Sequence, residues 1–166
     1  MIVKKENQEL EISFKLKIYE HISDLPLPLA DLVRLSIEGI KISYAPYSNF
    51  LVGAAVLTKS GKMFVGANQE NAAYPQCMCG ERVALYHAAM ASPHDAIEAV
   101  AISVKNKDKD IFDPVMPCGA CRQVISEYEN RYNNDIMILL RTSDDKVYVV
   151  NSVKDILPLG FNQTFL

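Results

Sequence analysis

Two stretches of sequence decide the fold of this chain and the metal ion that it can bind: Cys79-Gly80-Glu81 and Pro117-Cys118-Gly119-Ala120-Cys121. Together they supply three thiolates and the carboxylate of Glu81. Three protein ligands leave the fourth tetrahedral position of a Zn²⁺ ion open, which distinguishes a catalytic zinc from a structural one. The pattern therefore predicts one catalytic zinc ion per chain, with Glu81 beside the open position as general acid/base. The predicted ligands are Cys79, Cys118 and Cys121.

The predicted ligands stand at the starts of two predicted helices. Cys79 directly precedes one helix, and Cys118 and Cys121 lie three residues apart at the start of another. Helix N-termini favour anions and lower thiol pKa values. Because three thiolates leave the zinc cluster with a net negative charge, Arg82 and Arg122 are predicted to donate hydrogen bonds to sulfur.

Two other interpretations of the cysteines stay open. An isolated Cys is often a small buried hydrophobic residue. A structural zinc site with four sulfurs could instead use Cys77 as its fourth ligand. In that case Glu81 would be an ordinary carboxylate in the first turn of a helix.

Composition limits the class of protein. With 166 residues, the chain has the length of one domain, and its 49% hydrophobic residues are typical of a globular protein. The net charge of −3, without a Lys/Arg-rich block, argues against a nucleic-acid polymer as partner. The absence of a long apolar run argues against a membrane partner. A polar N-terminus and metal-type cysteine spacings lead us to expect a cytoplasmic protein.

Hydrophobic periodicity predicts an α/β fold with three α-β-α layers around a mixed five-stranded sheet, plus an extra N-terminal strand. The turn at 143–145 is too short for a crossover, so the last two strands should be antiparallel. The predicted elements are a strand at 10–18, a helix at 29–40, a hairpin at 50–67, a helix at 80–90, a strand at 99–104, a helix at 120–132, strands at 136–140 and 147–150, and a short helix at 152–157.

Several motifs resemble the small homotetrameric cytidine deaminases. They are Tyr44-Ala45-Pro46-Tyr47-Ser48-Asn49-Phe50, Val52-Gly53-Ala54-Ala55, Gly66-Ala67-Asn68-Gln69-Glu70-Asn71-Ala72-Ala73-Tyr74, Cys79-Gly80-Glu81-Arg82 and Pro117-Cys118-Gly119-Ala120-Cys121-Arg122-Gln123-Val124. The resemblance runs from about residue 28 to the C-terminus. In zinc deaminases of nucleobases, a His or Cys ligand is followed two residues later by the general acid/base Glu.

The resemblance implies a role for each matching residue. Asn68 and Glu70 would bind the ribose hydroxyls, Phe50 would pack on the pyrimidine, and the backbone at Gly80 would hold the base edge. Residues near Tyr74, together with Phe161, would complete the site of a neighbouring subunit, which implies a homotetramer. Spacing alone leaves Asn68 and Glu70 open to interpretation as a polar loop, and Phe50 as a core residue.

The expected activity is zinc-dependent hydrolytic deamination of cytidine, and of 2'-deoxycytidine, in pyrimidine salvage. Two alternatives are a deaminase of a cytosine-containing antibiotic such as blasticidin S, and a non-catalytic binding module with a structural zinc. Two departures from the family stand out: Gly80 replaces the usual Ala, and residues 1–25 form an extension that compact members lack. We expect this extension to carry one strand and to cover a sheet edge or a subunit contact, with the catalytic domain at 26–166.

Overall fold

The computed structural model describes residues 9–166 and contains one six-stranded sheet with three α-helices. The elements in chain order are β1 (Lys17–Tyr19), α1 (Leu27–Ile40), β2 (Phe50–Thr58), β3 (Met63–Ala67), α2 (Gly80–Ala91), β4 (Ile97–Asn106), α3 (Gly119–Tyr132), β5 (Met137–Arg141) and β6 (Val147–Val150).

The sheet is mixed, with strand order β1-β6-β5-β4-β2-β3. β4 and β5 are parallel, and α3 provides the crossover between them. The other neighbouring pairs are antiparallel. The predicted antiparallel pairing of the last two strands is confirmed, since a short turn from Thr142 to Lys146 joins β5 to β6.

Alternate residues of the central strands face two separate layers of core. Ala55 and Leu57 of β2 pack with Leu32 and Val33 of α1. Their neighbours in β2, Ala54 and Val56, pack instead with side chains of α2 and α3. Because successive side chains of a strand point to opposite faces, one apolar strand fills both layers. The predicted three-layer α/β fold is confirmed.

The N-terminal strand is shorter than its alternating pattern predicts. The prediction covered residues 10–18, whereas β1 has three residues and pairs with Val147–Val149 of β6. β6 itself has four residues, so it offers no partner for a longer strand. β1 covers the β6 edge of the sheet, as expected of the extension. Residues 1–8 of the predicted extension lie outside the described residues.

The prediction of a helix at 152–157 is wrong. The structure has a single 3₁₀ turn at Val153–Asp155, and the Ser152 hydroxyl accepts a hydrogen bond from the backbone N–H of Lys154. The segment is short and runs into Pro158, so it cannot add further helical turns.

A buried carboxylate ties the end of α3 to this segment. Glu129 is 3% exposed and accepts hydrogen bonds from the backbone N–H groups of Ile136 and Val153, each at 2.9 Å. It also accepts from the Ser152 hydroxyl. These contacts fix the carboxyl end of the helix whose first turn carries Cys121.

Replacing Glu129 with Ala should lower the free energy of unfolding by roughly 3 kcal/mol, because several buried donors lose their acceptor. Denaturant unfolding would measure the change, and Glu127→Ala, at an exposed position of α3, is the matched control. Equal stability of the two variants would contradict this role of Glu129.

In the part of the chain that the structure describes, none of the helices combines the length and the apolar character needed to cross a membrane.

Candidate active site

The three predicted ligands converge at the starts of α2 and α3. Cys79 and Cys118 are the residues that precede the two helices, and Cys121 lies in the first turn of α3. The Cys79–Cys118 sulfur distance is 3.7 Å, and the Cys118–Cys121 distance is 3.5 Å. Sulfurs bound tetrahedrally to zinc at about 2.3 Å lie about 3.8 Å apart. The cluster therefore fits one zinc ion per chain without a large rearrangement.

The sulfur cluster is electrostatically suited to a cation. The pKa of Cys79 is lowered to about 5, because the Cys121 thiol and Arg82 donate hydrogen bonds to its sulfur. The same partnership with the Cys79 thiolate, together with burial, raises the pKa of Cys121. Bringing three thiolates together without a metal would concentrate negative charge, which a divalent cation relieves.

The predictions for the two arginines have different outcomes. Arg82 Nη2 lies 3.6 Å from the Cys79 sulfur, as predicted for a donor to sulfur. The prediction for Arg122 is wrong: its Nε donates to the Pro117 carbonyl at 2.8 Å and its Nη1 donates to the Ile156 carbonyl at 2.7 Å. Arg122 follows Cys121 by one residue, so its side chain leaves the helix in another direction. It instead joins the loop before Cys118 to the C-terminal segment.

Cys77 does not provide a fourth sulfur. Its sulfur accepts a hydrogen bond from the backbone N–H of Asn71 at 3.2 Å and faces the Asn71 carbonyl at 3.6 Å. Within residues 9–166, the group of possible metal ligands consists of Cys79, Cys118 and Cys121, all within 4.8 Å of one another. This geometry argues against the closed four-sulfur site.

Glu81 lies in the first turn of α2, next to the cluster and outside the ligand group. It is 6% exposed and lines a cavity together with Cys79 and Cys118. Burial raises the pKa of its carboxyl above the ordinary value, and the neighbouring Cys79 thiolate adds to this effect. A raised pKa brings a carboxyl closer to the pH at which it can both accept and release a proton in catalysis.

The cavity has a volume of about 380 Å³ and combines an apolar wall with a polar end. Phe50, Asn68, Glu70 and Tyr74, singled out in the sequence, all line it. Several other wall residues received no role from the sequence because they look like ordinary strand or loop residues; they include Ser48, Val52, Ile102, Val104, Val115 and Met116. Val115 and Met116 directly precede Pro117, and this adjacency is the one signal that could have identified them.

Asn68 braces the strand that carries Phe50. Its Oδ1 accepts a hydrogen bond from the Val52 N–H at 2.9 Å and another from the Ser43 hydroxyl, while its Nδ2 donates to the Phe50 carbonyl at 2.9 Å. An amide nitrogen carries two hydrogens, so one remains for a ligand.

Glu70 is held by the loop before β2. Its carboxylate accepts hydrogen bonds from the Tyr47 N–H at 2.8 Å, the Ser48 N–H at 3.3 Å and the Ser48 hydroxyl. The Ser48 hydroxyl is the main reason that the pKa of Glu70 lies below its ordinary value. Glu70 therefore presents a fixed, ionised acceptor at the polar end of the cavity.

Gly80 and Phe161 occupy different surroundings. A Cβ at Gly80 would lie 2.9 Å from the Val52 carbonyl, so the absence of a side chain allows α2 to begin close against β2. Phe161 is exposed, stacks on Phe165 with ring centroids 5.8 Å apart, and lies outside the cavity lining of its own chain.

Comparisons with known proteins agree on one family. The family described as "Cytidine and deoxycytidylate deaminase zinc-binding region" matches residues 29–133. A cytidine deaminase of Halalkalibacterium halodurans is 40% identical over 125 residues, which are 75% of this chain and 81% of that protein. The crystal structure of cytidine deaminase from Burkholderia pseudomallei has a TM-score of 0.68 and 38% identity, covering 79% of this chain and 97% of that chain. A cytidine deaminase structure from Mycobacterium tuberculosis has a TM-score of 0.61 and 26% identity, covering 80% and 95% of the two chains.

The mixed sheet, the three-sulfur cluster and the buried carboxylate define a zinc-dependent deaminase of the α/β class. The chain belongs to the cytidine and deoxycytidylate deaminase family, as the match over residues 29–133 and the 40% identical relative show.

Proposed function

We propose that this protein deaminates cytidine and 2'-deoxycytidine hydrolytically, producing the uridine nucleoside and ammonia for pyrimidine salvage. The observation that carries the proposal is the buried carboxyl of Glu81, which lies beside three converging sulfurs in a nucleoside-sized cavity. The relatives named as cytidine deaminases support the same reaction.

The side chains of this protein can divide the reaction between them. Zinc, when bound by Cys79, Cys118 and Cys121, supplies the Lewis acid that makes water acidic enough to attack near neutral pH. Glu81 accepts the proton of the water that adds to C4 of the base and delivers it to ring N3. It then takes the remaining proton from the hydroxyl on C4 and transfers it to the 4-amino group; the C4–N bond breaks, the amino group leaves as ammonia and the C4 carbonyl of the product forms.

The remaining cavity residues orient the nucleoside. In the proposed complex Phe50 packs on the pyrimidine, the Gly80 backbone holds the base edge, and Asn68 and Glu70 bind the ribose hydroxyls. The residues lining the cavity in the described part of the chain include no Lys or Arg. A phosphate near the Glu70 carboxylate would be repelled, so the proposed substrate is a nucleoside and not a nucleotide.

Glu70→Gln should lower kcat/KM for cytidine by about tenfold or more, because a hydrogen bond to a charged group contributes about 1.5–3 kcal/mol. The penalty against cytidine 5'-monophosphate should fall at the same time, since the repelling charge is removed. Steady-state kinetics on both substrates would measure the two changes. Glu98→Gln, at an exposed position of β4, serves as control, and unchanged selectivity in Glu70→Gln would contradict the proposed ribose contact.

The assembly and compartment are part of the proposal. We propose a cytoplasmic homotetramer in which residues near Tyr74, together with Phe161, contribute to a neighbouring site. The exposure of both aromatic rings on the isolated chain supports this arrangement. The proposed catalytic domain spans 26–166, and the start of the family match at residue 29 supports that boundary.

An absorbance assay tests the activity directly. Purified protein should decrease the absorbance of cytidine, and prolonged chelation should remove this activity. Blasticidin S in the same assay should be a poor substrate. Turnover of blasticidin S but not of cytidine would contradict the proposed substrate, and turnover of neither would contradict the proposed function.

A further inference from the structure

Residues 9–18 carry a row of apolar side chains that the rest of the described chain leaves largely uncovered. Leu10, Ile12, Phe14 and Ile18 are between 45% and 75% exposed and occupy alternate positions. Leu16, in the same row, packs against the core layer beneath α2 and α3. Residues 9–16 belong to no helix or strand of the described chain, although they lead directly into β1.

The outer edge of β1 is available for pairing. β1 is the terminal strand of the sheet, with β6 on its inner side, and no strand within residues 9–166 lies on its outer side. An edge strand presents unpaired N–H and C=O groups, to which another strand can add. We propose that segment 9–18 extends β1 and pairs antiparallel with the same segment of a second copy of this chain.

The charges of the segment are self-complementary in one register. When Ser13 faces Ser13 of the second copy across a two-fold axis, each acidic residue of 9–17 faces a basic one, and the apolar residues of 10–16 face each other. Directly opposite side chains lie on the same face of the sheet, close enough to interact. The resulting pairs are Glu9 with Lys17, Leu10 with Leu16, Glu11 with Lys15, and Ile12 with Phe14.

Neighbouring registers fit less well. If the two-fold axis passes through Ile12 or Phe14 instead of Ser13, one acid–base pair per copy remains in place of two. Ser13 then faces a charged residue of the second copy. A register shifted by one residue places the apolar side chains of one copy opposite polar side chains of the other. The two apolar rows then lie on opposite faces of the sheet. The register centred on Ser13 is therefore the one that satisfies charge and apolar matching together.

Inside the described chain these charges form no ion pair, although the Lys17 ammonium lies over the Tyr19 ring, 4.6 Å from its centroid. Within residues 9–166, the ion pairs do not include Glu9, Glu11 or Lys15. Lysines alone would protect an edge from pairing. The two acids at matching distances from Ser13 instead neutralise the lysines of a second copy, which is why the proposed occupant is this chain itself.

Charge exchange tests the register. Glu11→Lys and Lys15→Glu each place like charges opposite each other twice, so each should weaken this association about tenfold or more. The double variant restores opposite charges and should recover the wild-type assembly mass, and a mixture of the two single variants should associate as well. Sedimentation velocity at low ionic strength measures the masses, and loss of one association step halves the assembly mass.

A cross-link provides an independent readout. Ser13→Cys should form a covalent dimer with a short thiol cross-linker, whereas Glu11→Cys and the wild-type protein should not, because position 11 is displaced from its counterpart along the strands. If the single variants keep the wild-type mass, or Ser13→Cys gives no dimer above the controls, the segment docks elsewhere and the proposal is overturned. Both readouts are independent of deaminase activity.

Discussion

Replacing Glu81 with Gln should reduce kcat/KM for cytidine by about 10²- to 10⁴-fold, since positioned general acid/base groups contribute at about this level. Gln keeps the size of the buried side chain but cannot accept and release a proton. The expected loss therefore falls on kcat. Circular dichroism and zinc content should match those of the wild-type protein.

A matched control separates the chemical effect from a general loss of carboxylate charge. Glu127→Gln removes a carboxylate at an exposed position of α3 and should retain wild-type kinetics. If Glu81→Gln kept more than a tenth of wild-type kcat, Glu81 could not be the proton carrier, and the proposed mechanism would be wrong.

Cys121→Ser should have an effect of similar size, through a different cause. Cys121 is fully buried, with its sulfur 3.5 Å from that of Cys118, and a serine hydroxyl is a poor substitute for a thiolate ligand. We expect loss of bound zinc and a fall in activity of about 10³-fold, equivalent to the several kcal/mol that a bound metal supplies. The variant should also unfold at a lower temperature, because metal binding stabilises the folded state.

Cys77→Ser provides the control for this experiment. Its sulfur contacts Asn71 and stands outside the ligand group, so zinc content and melting temperature should stay near wild-type values. Loss of zinc from Cys77→Ser, with zinc retained in Cys121→Ser, would show that the ligand set has been assigned wrongly.

The central features of the fold were accessible from the sequence because they rest on local patterns. Alternating and helical periodicities placed strands β2 to β6 and the three long helices close to their observed bounds. The three ligands were identifiable because their spacing relative to two helix starts is itself a geometric constraint. The antiparallel last strand pair followed from the length of one turn.

The features that the sequence predicted wrongly depend on contacts with residues elsewhere in the fold. An alternating pattern at 10–18 predicts a strand, but the length of β6 determines how much of it pairs within the chain. The direction of the Arg122 side chain depends on carbonyls at Pro117 and Ile156, which lie 39 residues apart on other segments. Likewise, the bracing of β2 by Asn68 joins residues 16 and 18 positions apart, so it depends on how β2 pairs with β3.

X-ray absorption at the zinc edge of the purified protein is the most direct test of the proposed metal centre. We expect three sulfur neighbours at about 2.3 Å and one oxygen neighbour at about 2.0 Å, as in a zinc site with an exchangeable water. The spectrum of Cys77→Ser should be the same. Four sulfur neighbours, or a loss of one sulfur in Cys77→Ser, would contradict the open catalytic zinc on which the account depends.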